Sequence, residues 1–267
     1  MLHWHIDPVA ISLGSIKIHW YGIFFALGLL SAFFLGEWIF KREKKDPKLL
    51  EPFFLYLIIG ITVGARLAHV IFYDIDYYLK HPLEIFYVWE GGLASHGGAI
   101  GAIIALYLFC KKYKIDFWWM LSRASLGAVL LAPFIRIGNF FNSEIVGLST
   151  NSSFGVIFDR VDNLARHPVQ LYEAFGYFII FFITLWLYLK LDSKTFTKIG
   201  TGFVLFSVFI LRFFLEYVKT PQSEFANLLP FSMGQILSIP FILVGAFLLF
   251  KAFIELAKNN YTKSTTT

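Results

Sequence analysis

Long apolar runs separated by short charged links organise the whole chain. They cover residues 19–40, 53–73, 97–110, 117–138, 171–191, 199–217 and 233–254. A helix needs about 20 apolar residues to cross the hydrocarbon of a bilayer. The pattern therefore predicts an all-α polytopic membrane protein with about seven transmembrane helices. The third run is short. It reaches spanning length only if its Gly-rich approach, 91–96, sits at membrane depth inside protein or a water-filled cavity. The first 18 residues show no basic n-region and no small-residue cleavage site, so no removable signal peptide is read there. No period of 20–50 residues repeats. The reading is one integral membrane domain over 1–267, with a small extracytoplasmic head segment, 139–170, between spans four and five.

The links alternate in charge. Lys41, Arg42, Lys44, Lys45 and Lys48 follow span one; Lys111, Lys112 and Lys114 follow span three. Lys190, Lys194 and Lys198 follow span five; Lys251, Lys258 and Lys263 follow span seven. These are fourteen of the 23 basic residues, all on one side. Cytoplasmic loops are the Lys/Arg-rich ones, which puts the N-terminus outside and the C-terminus in the cytoplasm. The net charge of +5 thus reads as orientation, with no nucleic-acid signal. Composition agrees: the chain is 57% hydrophobic and 15% charged, against about 25% charged in a soluble domain. That excludes an ordinary soluble enzyme and a disordered chain. The single cysteine, Cys110, excludes a disulfide within the chain.

Orientation sorts the remaining polar residues by depth. Arg66, Arg136 and Arg212 converge on the outer half of the membrane. All seven histidines and Asn139, Asn142, Glu144, Gln170, Glu173, Glu216 and Gln235 also fall there or outside. The inner half holds little beyond Glu37 and Arg123, and Arg123 is expected to snorkel to the surface. An arginine at the centre of a span costs about 2.5–3.5 kcal/mol on insertion scales, so these arginines need partners or a function. Glu216 follows Arg212 by one turn, which allows a structural ion pair. Taken together the arginines read as an anion site, because guanidinium matches phosphate with two parallel hydrogen bonds. A phospholipid headgroup is the abundant anion at that depth.

His96 lies in Gly91-Gly92-Leu-Ala-Ser-His96-Gly97-Gly98 and is a candidate base. Gly60 and Gly64, with Gly97 and Gly101, form small-xxx-small faces for helix packing. The densest polar stretch is Arg136-Ile-Gly-Asn139-Phe-Phe-Asn142-Ser-Glu144-Ile-Val-Gly147. His3-Trp-His5 has no clear third ligand, and no feature calls for a metal or an organic cofactor.

These motifs resemble the bacterial prolipoprotein diacylglyceryl transferase family, from Asp7-Pro8 to span seven. The 136–147 segment is the most specific. His19-Trp20-Tyr21-Gly22, the His96 segment, Arg166-His167-Pro168-x-Gln170-Leu-Tyr-Glu173, Arg212-x-x-x-Glu216 and Ser232-Met-Gly-Gln235-Ile-Leu-Ser238 follow in order. Ile135 departs from the usual Gly, Val208 from a common Tyr, and Lys219 from a frequent Arg.

The resemblance implies a seven-span enzyme of the bacterial inner membrane with its site on the extracytoplasmic side. Such an enzyme moves the diacylglyceryl group of phosphatidylglycerol to the lipobox cysteine of a prolipoprotein signal peptide and releases glycerol phosphate. By motif it assigns catalytic roles to Tyr21, His96, Arg136, Asn139, Glu144 and Arg212. Headgroup binding falls to Arg136, Arg212, Asn139, Gly147 and Glu216. A transporter with an intramembrane anion site is the competing class, and its polar lining should cross both halves of the membrane. A non-catalytic lipid-binding scaffold is a third reading, which leaves His96 without a task.

Overall fold

The computed structural model describes residues 2–220 and 231–265, with side chains to Lys258. Lys263 of the basic count therefore lies outside the described side chains. Strands β1 (Leu2–Trp4), β2 (Val9–Leu13) and β3 (Ile16–His19) precede helix α1 (Trp20–Arg42). Then come α2 (Leu50–Phe72), a short α3 (Ile75–Lys80), α4 (Ser95–Tyr113) and α5 (Phe117–Phe141). Strands β4 (Val156–Phe158) and β5 (Ala165–Arg166) lead to α6 (Val169–Lys190), α7 (Ser193–Leu215) and α8 (Met233–Thr265).

Six of these helical stretches are long and apolar enough to cross a membrane among the described residues: Trp20–Arg42, Pro47–Phe72, Phe117–Phe141, Val169–Lys190, Ser193–Val218 and Met233–Lys258. The chain is thus mostly helical, with several membrane-spanning segments. Helix α4 stands where the third run was expected and has 19 residues. Its polar ends keep it out of that set: Ser95, His96 and glycines open it, and Lys111 and Lys112 close it.

The all-α expectation is corrected by the strands. β1, β4 and β5 form one sheet, with β1 parallel to β4 in the register Leu2↔Val156 and Trp4↔Phe158. β2 and β3 form a hairpin. Outside the bilayer a segment must pair its backbone groups somewhere, and these short apolar stretches pair with one another rather than coiling into helices. Phe140, Val156 and Phe158 are buried together, with Trp4, Phe141 and Val146 packed against them. This aromatic core anchors the end of α5.

The chain divides into two compact units. One comprises Met1–Gly36 with Ser122–Thr267, the other Glu37–Leu121. In the second unit, α2 and α4 meet through the predicted glycine faces. A Cβ on Gly64 would collide with the carbonyl of Gly97, and one on Gly101 with the carbonyl of Gly60. Only glycine permits this approach, and small residues are how helices pack closely where no hydrophobic driving force acts between them.

In the first unit, α6, α7 and α8 pack in sequence, and α8 opens on a reciprocal cap. Ser232 Oγ accepts from the Gln235 amide at 3.2 Å, and Gln235 Oε1 accepts from the Ser232 amide at 3.0 Å. This is the capping-box arrangement with Gln in the third position.

Candidate active site

The end of α5 fixes the geometry of the polar cluster. Ser143 takes a left-handed φ of 57° just beyond the helix. Its amide donates to the Phe140 carbonyl and the Glu144 amide donates to the Asn139 carbonyl, both at 3.0 Å. These are the paired bonds of a Schellman terminus, usually built on glycine at the left-handed position. Ile145 also has a positive φ, 56°, which is unfavourable for a β-branched residue. Left-handed non-glycine residues cost of order 1–3 kcal/mol and cluster at functional sites. Glu144 therefore sits between two strained residues, and its place is set by the backbone.

Side chains reinforce that placement. Asn139, 5% exposed, donates from Nδ2 to Glu144 Oε2 at 3.1 Å. Asn142 Nδ2 donates to the other carboxylate oxygen at 3.0 Å. Gln170, fully buried, donates to the Glu144 carbonyl at 2.5 Å. Arg136 Nη1 donates to Asn139 Oδ1 at 3.3 Å. One continuous chain of contacts thus runs Arg136–Asn139–Glu144–Asn142.

Arg136 has a second anchor. Its Nε lies 2.8 Å from Oε2 of Glu173, which is 0% exposed. The N–H points off the line to the oxygen, so Oε2 takes no directed hydrogen bond and the contact is an ion pair. The other oxygen, Oε1, accepts from Lys219 Nζ at 2.7 Å. Lys219 also approaches Glu216 at 3.7 Å. Burying a carboxylate alone is prohibitive, and Glu173 is held between two cations.

Gly147 delivers Lys219 to that position. It bridges Lys219 in antiparallel fashion. Its amide donates to the His167 carbonyl at 3.0 Å, and its carbonyl accepts from Arg166 Nη1 and Thr220 Oγ1, each at 3.0 Å. A Cβ at Gly147 would lie 2.5 Å from the His167 carbonyl oxygen. Any other residue would push these segments apart.

Arg212 sits near the end of α7. Its Nε is buried and has no hydrogen-bond partner among the described residues. The anticipated ion pair with Glu216 is not formed among them, and the Glu216 carboxylate packs instead on Gly234, where a Cβ would collide with it. Tyr177, 4% exposed, lies within the electrostatic reach of both Arg136 and Arg212. Tyr21 packs against Gly138, where a Cβ would stand 2.9 Å from its ring.

Two arginines behave differently from the sequence expectation. Arg66, 4% exposed, donates to the carbonyls of Glu84, Ile85, Gly91 and Gly92 at 2.5, 2.9, 2.8 and 3.3 Å. Its donors fasten the 84–92 segment to α2, so it acts as a structural clasp within its own unit. Arg123 does not snorkel. It is 4% exposed and donates to Ser122 Oγ, Thr197 Oγ1, Ser193 Oγ and the Ser193 carbonyl. Bonded in place by these acceptors, it need not reach water.

His96 belongs to the second unit. It is exposed at the start of α4, with the rings of Phe72 and Tyr73 at 5.9 and 6.1 Å. The first unit brings together Tyr21, Arg136, Asn139, Glu144, Gly147, Arg212 and Glu216. Its Lys219–Glu173 contact and Tyr177 are additions to the residues picked from the sequence. Glu173 was already in view among the outer polar residues and in the 166–173 motif, whereas Lys219 was in view only as a departure from a frequent Arg. His3 faces Asp159 at 3.2 Å, and no group of three His, Cys, Asp or Glu residues is arranged for a metal among the described residues.

Comparison with known proteins agrees with the geometry. Residues 8–251 match the prolipoprotein diacylglyceryl transferase family. The phosphatidylglycerol–prolipoprotein diacylglyceryl transferase of Tolumonas auensis is 47% identical over 97% of this chain and 100% of its own length. The protein of the same name from Chloroherpeton thalassium is 46% identical over 94% of each chain. That of Bacteroides fragilis is 38% identical over 93% of this chain and 94% of its own.

Proposed function

The chain belongs to the prolipoprotein diacylglyceryl transferase family, and from that premise we propose how its residues carry out the transfer. The lipid donor is phosphatidylglycerol and the acceptor is the lipobox cysteine of a prolipoprotein signal peptide. The chain crosses the bacterial inner membrane seven times, α4 included, with its N-terminus outside and its C-terminus in the cytoplasm. The site faces the extracytoplasmic side.

Arg136 and Arg212 hold the headgroup phosphate. The observation that carries this reading is the buried Nε of Arg212, which has no hydrogen-bond partner among the described residues. A buried donor without an acceptor costs about 1–3 kcal/mol, and a phosphate oxygen supplies the acceptor. Arg136 stands with its Nε on Glu173 and one amino group on Asn139, which pre-orients the rest of its fork. Asn139 and Glu144 keep that fork in register, Gly147 holds the surrounding segments together, and Glu216 and Tyr21 line the site.

The nucleophile comes from the substrate. The peptide thiol, with an ordinary pKa near about 8.5, is only partly ionised at neutral pH. His96 takes its proton. The thiolate attacks the glycerol carbon that bears the phosphate oxygen, a carbon–sulfur bond forms, and the carbon–oxygen bond breaks. The oxygen leaves with the bonding pair as glycerol phosphate, whose charge the two arginines stabilise. The product is a thioether, and no cofactor takes part.

The decisive test incubates the purified chain with labelled phosphatidylglycerol and a lipobox peptide, with and without its cysteine. Transfer is expected only to the cysteine peptide. Labelling of the cysteine-free peptide would overturn the proposal. In the same assay, His96→Gln at full rate across the pH range would leave water or the phosphate as the proton acceptor.

A further inference from the structure

Lys219 carries no role in the reaction described so far, and Glu173 enters it only as an anchor of Arg136. Glu173 is 0% exposed and Lys219 is 8% exposed. Three residues on three separate segments form a line with its buried centre at Glu173: Arg136 on α5, Glu173 on α6 and Lys219 beyond α7. The links are 2.8 Å from Arg136 Nε to Glu173 Oε2 and 2.7 Å from Lys219 Nζ to Glu173 Oε1. Lys219 extends the line to Glu216 at 3.7 Å.

A fold does not need this arrangement for stability alone. Replacing a buried ion pair with apolar residues of similar volume is often neutral or stabilising. What the line does achieve is geometric. Arg136 carries five N–H donors in a rigid fork, and the buried carboxylate 2.8 Å from Nε anchors that end of the fork by charge. A monodentate phosphate contact tolerates rotation of the guanidinium, whereas a bidentate one does not. Glu173 also cannot swing away, because Lys219 holds its second oxygen, and the Gly147 bridge pins the Lys219 backbone. Lys219 thereby links the carboxylate that orients Arg136 to the carboxylate one turn beyond Arg212.

We propose that Glu173 and Lys219 are positioning residues for diacylglyceryl transfer, acting through Arg136 to hold its guanidinium where it grips the headgroup phosphate. The inference rests on the headgroup role given above to Arg136.

A double-mutant cycle tests it. Transfer from phosphatidylglycerol to the lipobox peptide is measured for Glu173→Gln in the native and the Arg136→Lys backgrounds. Folded protein is normalised by thermal unfolding in detergent. Glu173→Gln should lower kcat/KM by about tenfold or more in the native background, and by less than about threefold beside Arg136→Lys, because residues that act as one unit are not additive. Equal losses in both backgrounds, or no loss in either, would overturn the inference and leave the headgroup reading intact. Full activity of Arg136→Lys would remove the headgroup reading and this inference with it.

The same cycle read as affinity for glycerol phosphate covers a background too slow to assay. Lys219 supplies a second handle: Lys219→Met should lose about tenfold, and Lys219→Arg should recover most of that loss by restoring a cation. Equal activity of Lys219→Met and Lys219→Arg would also count against it.

Discussion

The two ends of helix α5 each carry an arginine, and they hold it in different ways. Arg123 near the start and Arg136 near the end are about 20 Å apart along the axis. Arg123 donates to two serine hydroxyls, a threonine hydroxyl and a carbonyl, with the rings of Phe196 and Tyr188 at 5.3 and 6.0 Å. Arg136 is held by a buried carboxylate and one amide, and its neighbour Arg212 keeps a buried N–H with no partner among the described residues. The first arrangement uses up the hydrogen-bonding capacity of the guanidinium. The second orients it and leaves capacity for an anion. Residue type is the same in the two cases, so the state of the partners separates a structural arginine from a functional one. Arg66 falls with Arg123, because four backbone carbonyls take its donors.

The widest test of this contrast is alanine substitution on both sides of it. Arg136→Ala and Arg212→Ala should each lower diacylglyceryl transfer by about 100- to 1,000-fold, the usual effect of losing a preorganised donor to a leaving oxyanion. Thermal unfolding should change far less than activity. Near native transfer by either variant would erase the distinction. Arg123→Ala should do the opposite. It strands acceptors between α5 and the α6–α7 turn and should cost about 2–4 kcal/mol of stability. Activity per folded molecule should stay within about threefold of the native chain on the same account of where its partners lie. A catalytic defect in folded Arg123→Ala would place both ends of the helix in the reaction.

Much of this was legible before any coordinates. The apolar runs became helices, the glycine faces became the α2–α4 contact, and the 136–147 motif became one connected cluster. Arg66 was misread because its partners are backbone carbonyls of residues 84–92, and backbone atoms leave no mark in residue identity. Arg123 was misread because hydroxyls at 193 and 197 look like solvent-facing residues until the helix turn folds them back. The strands at 2–4 and 156–158 pair across more than 150 positions, and no local period announces a parallel pair of three residues. The Glu173–Lys219 contact joins residues 46 apart. Both residue types were in view, but only the fold makes them neighbours.

The smallest expected effect lies in the 139–170 segment, where an ion pair is more exposed than the Glu173 cluster. Arg166 contacts both oxygens of Asp162, from Nε at 3.1 Å and from Nη2 at 2.5 Å. The guanidinium beside it holds the Asp162 carboxyl below the usual carboxylate range. A carboxyl depressed in the folded state contributes stability above its unfolded pKa, and that contribution is lost as pH falls through the folded value. Asp162→Asn should therefore lower the unfolding temperature slightly at neutral pH. The gap to the native chain should close as the buffer is taken below the ordinary carboxylate pKa of about 3.9. Solvent reaches this pair, with the Asp162 side chain 32% exposed, so added salt should also narrow the gap. The 0% exposed Glu173 predicts the reverse: the destabilisation or lost activity of Glu173→Gln should hardly respond to salt. Arg166 also grips the Gly147 carbonyl through Nη1, so transfer should persist in Asp162→Asn. A gap that widens on acidification would mean that Asp162 is stabilised by protonation in the fold, and would put this pair in the class of the buried clusters.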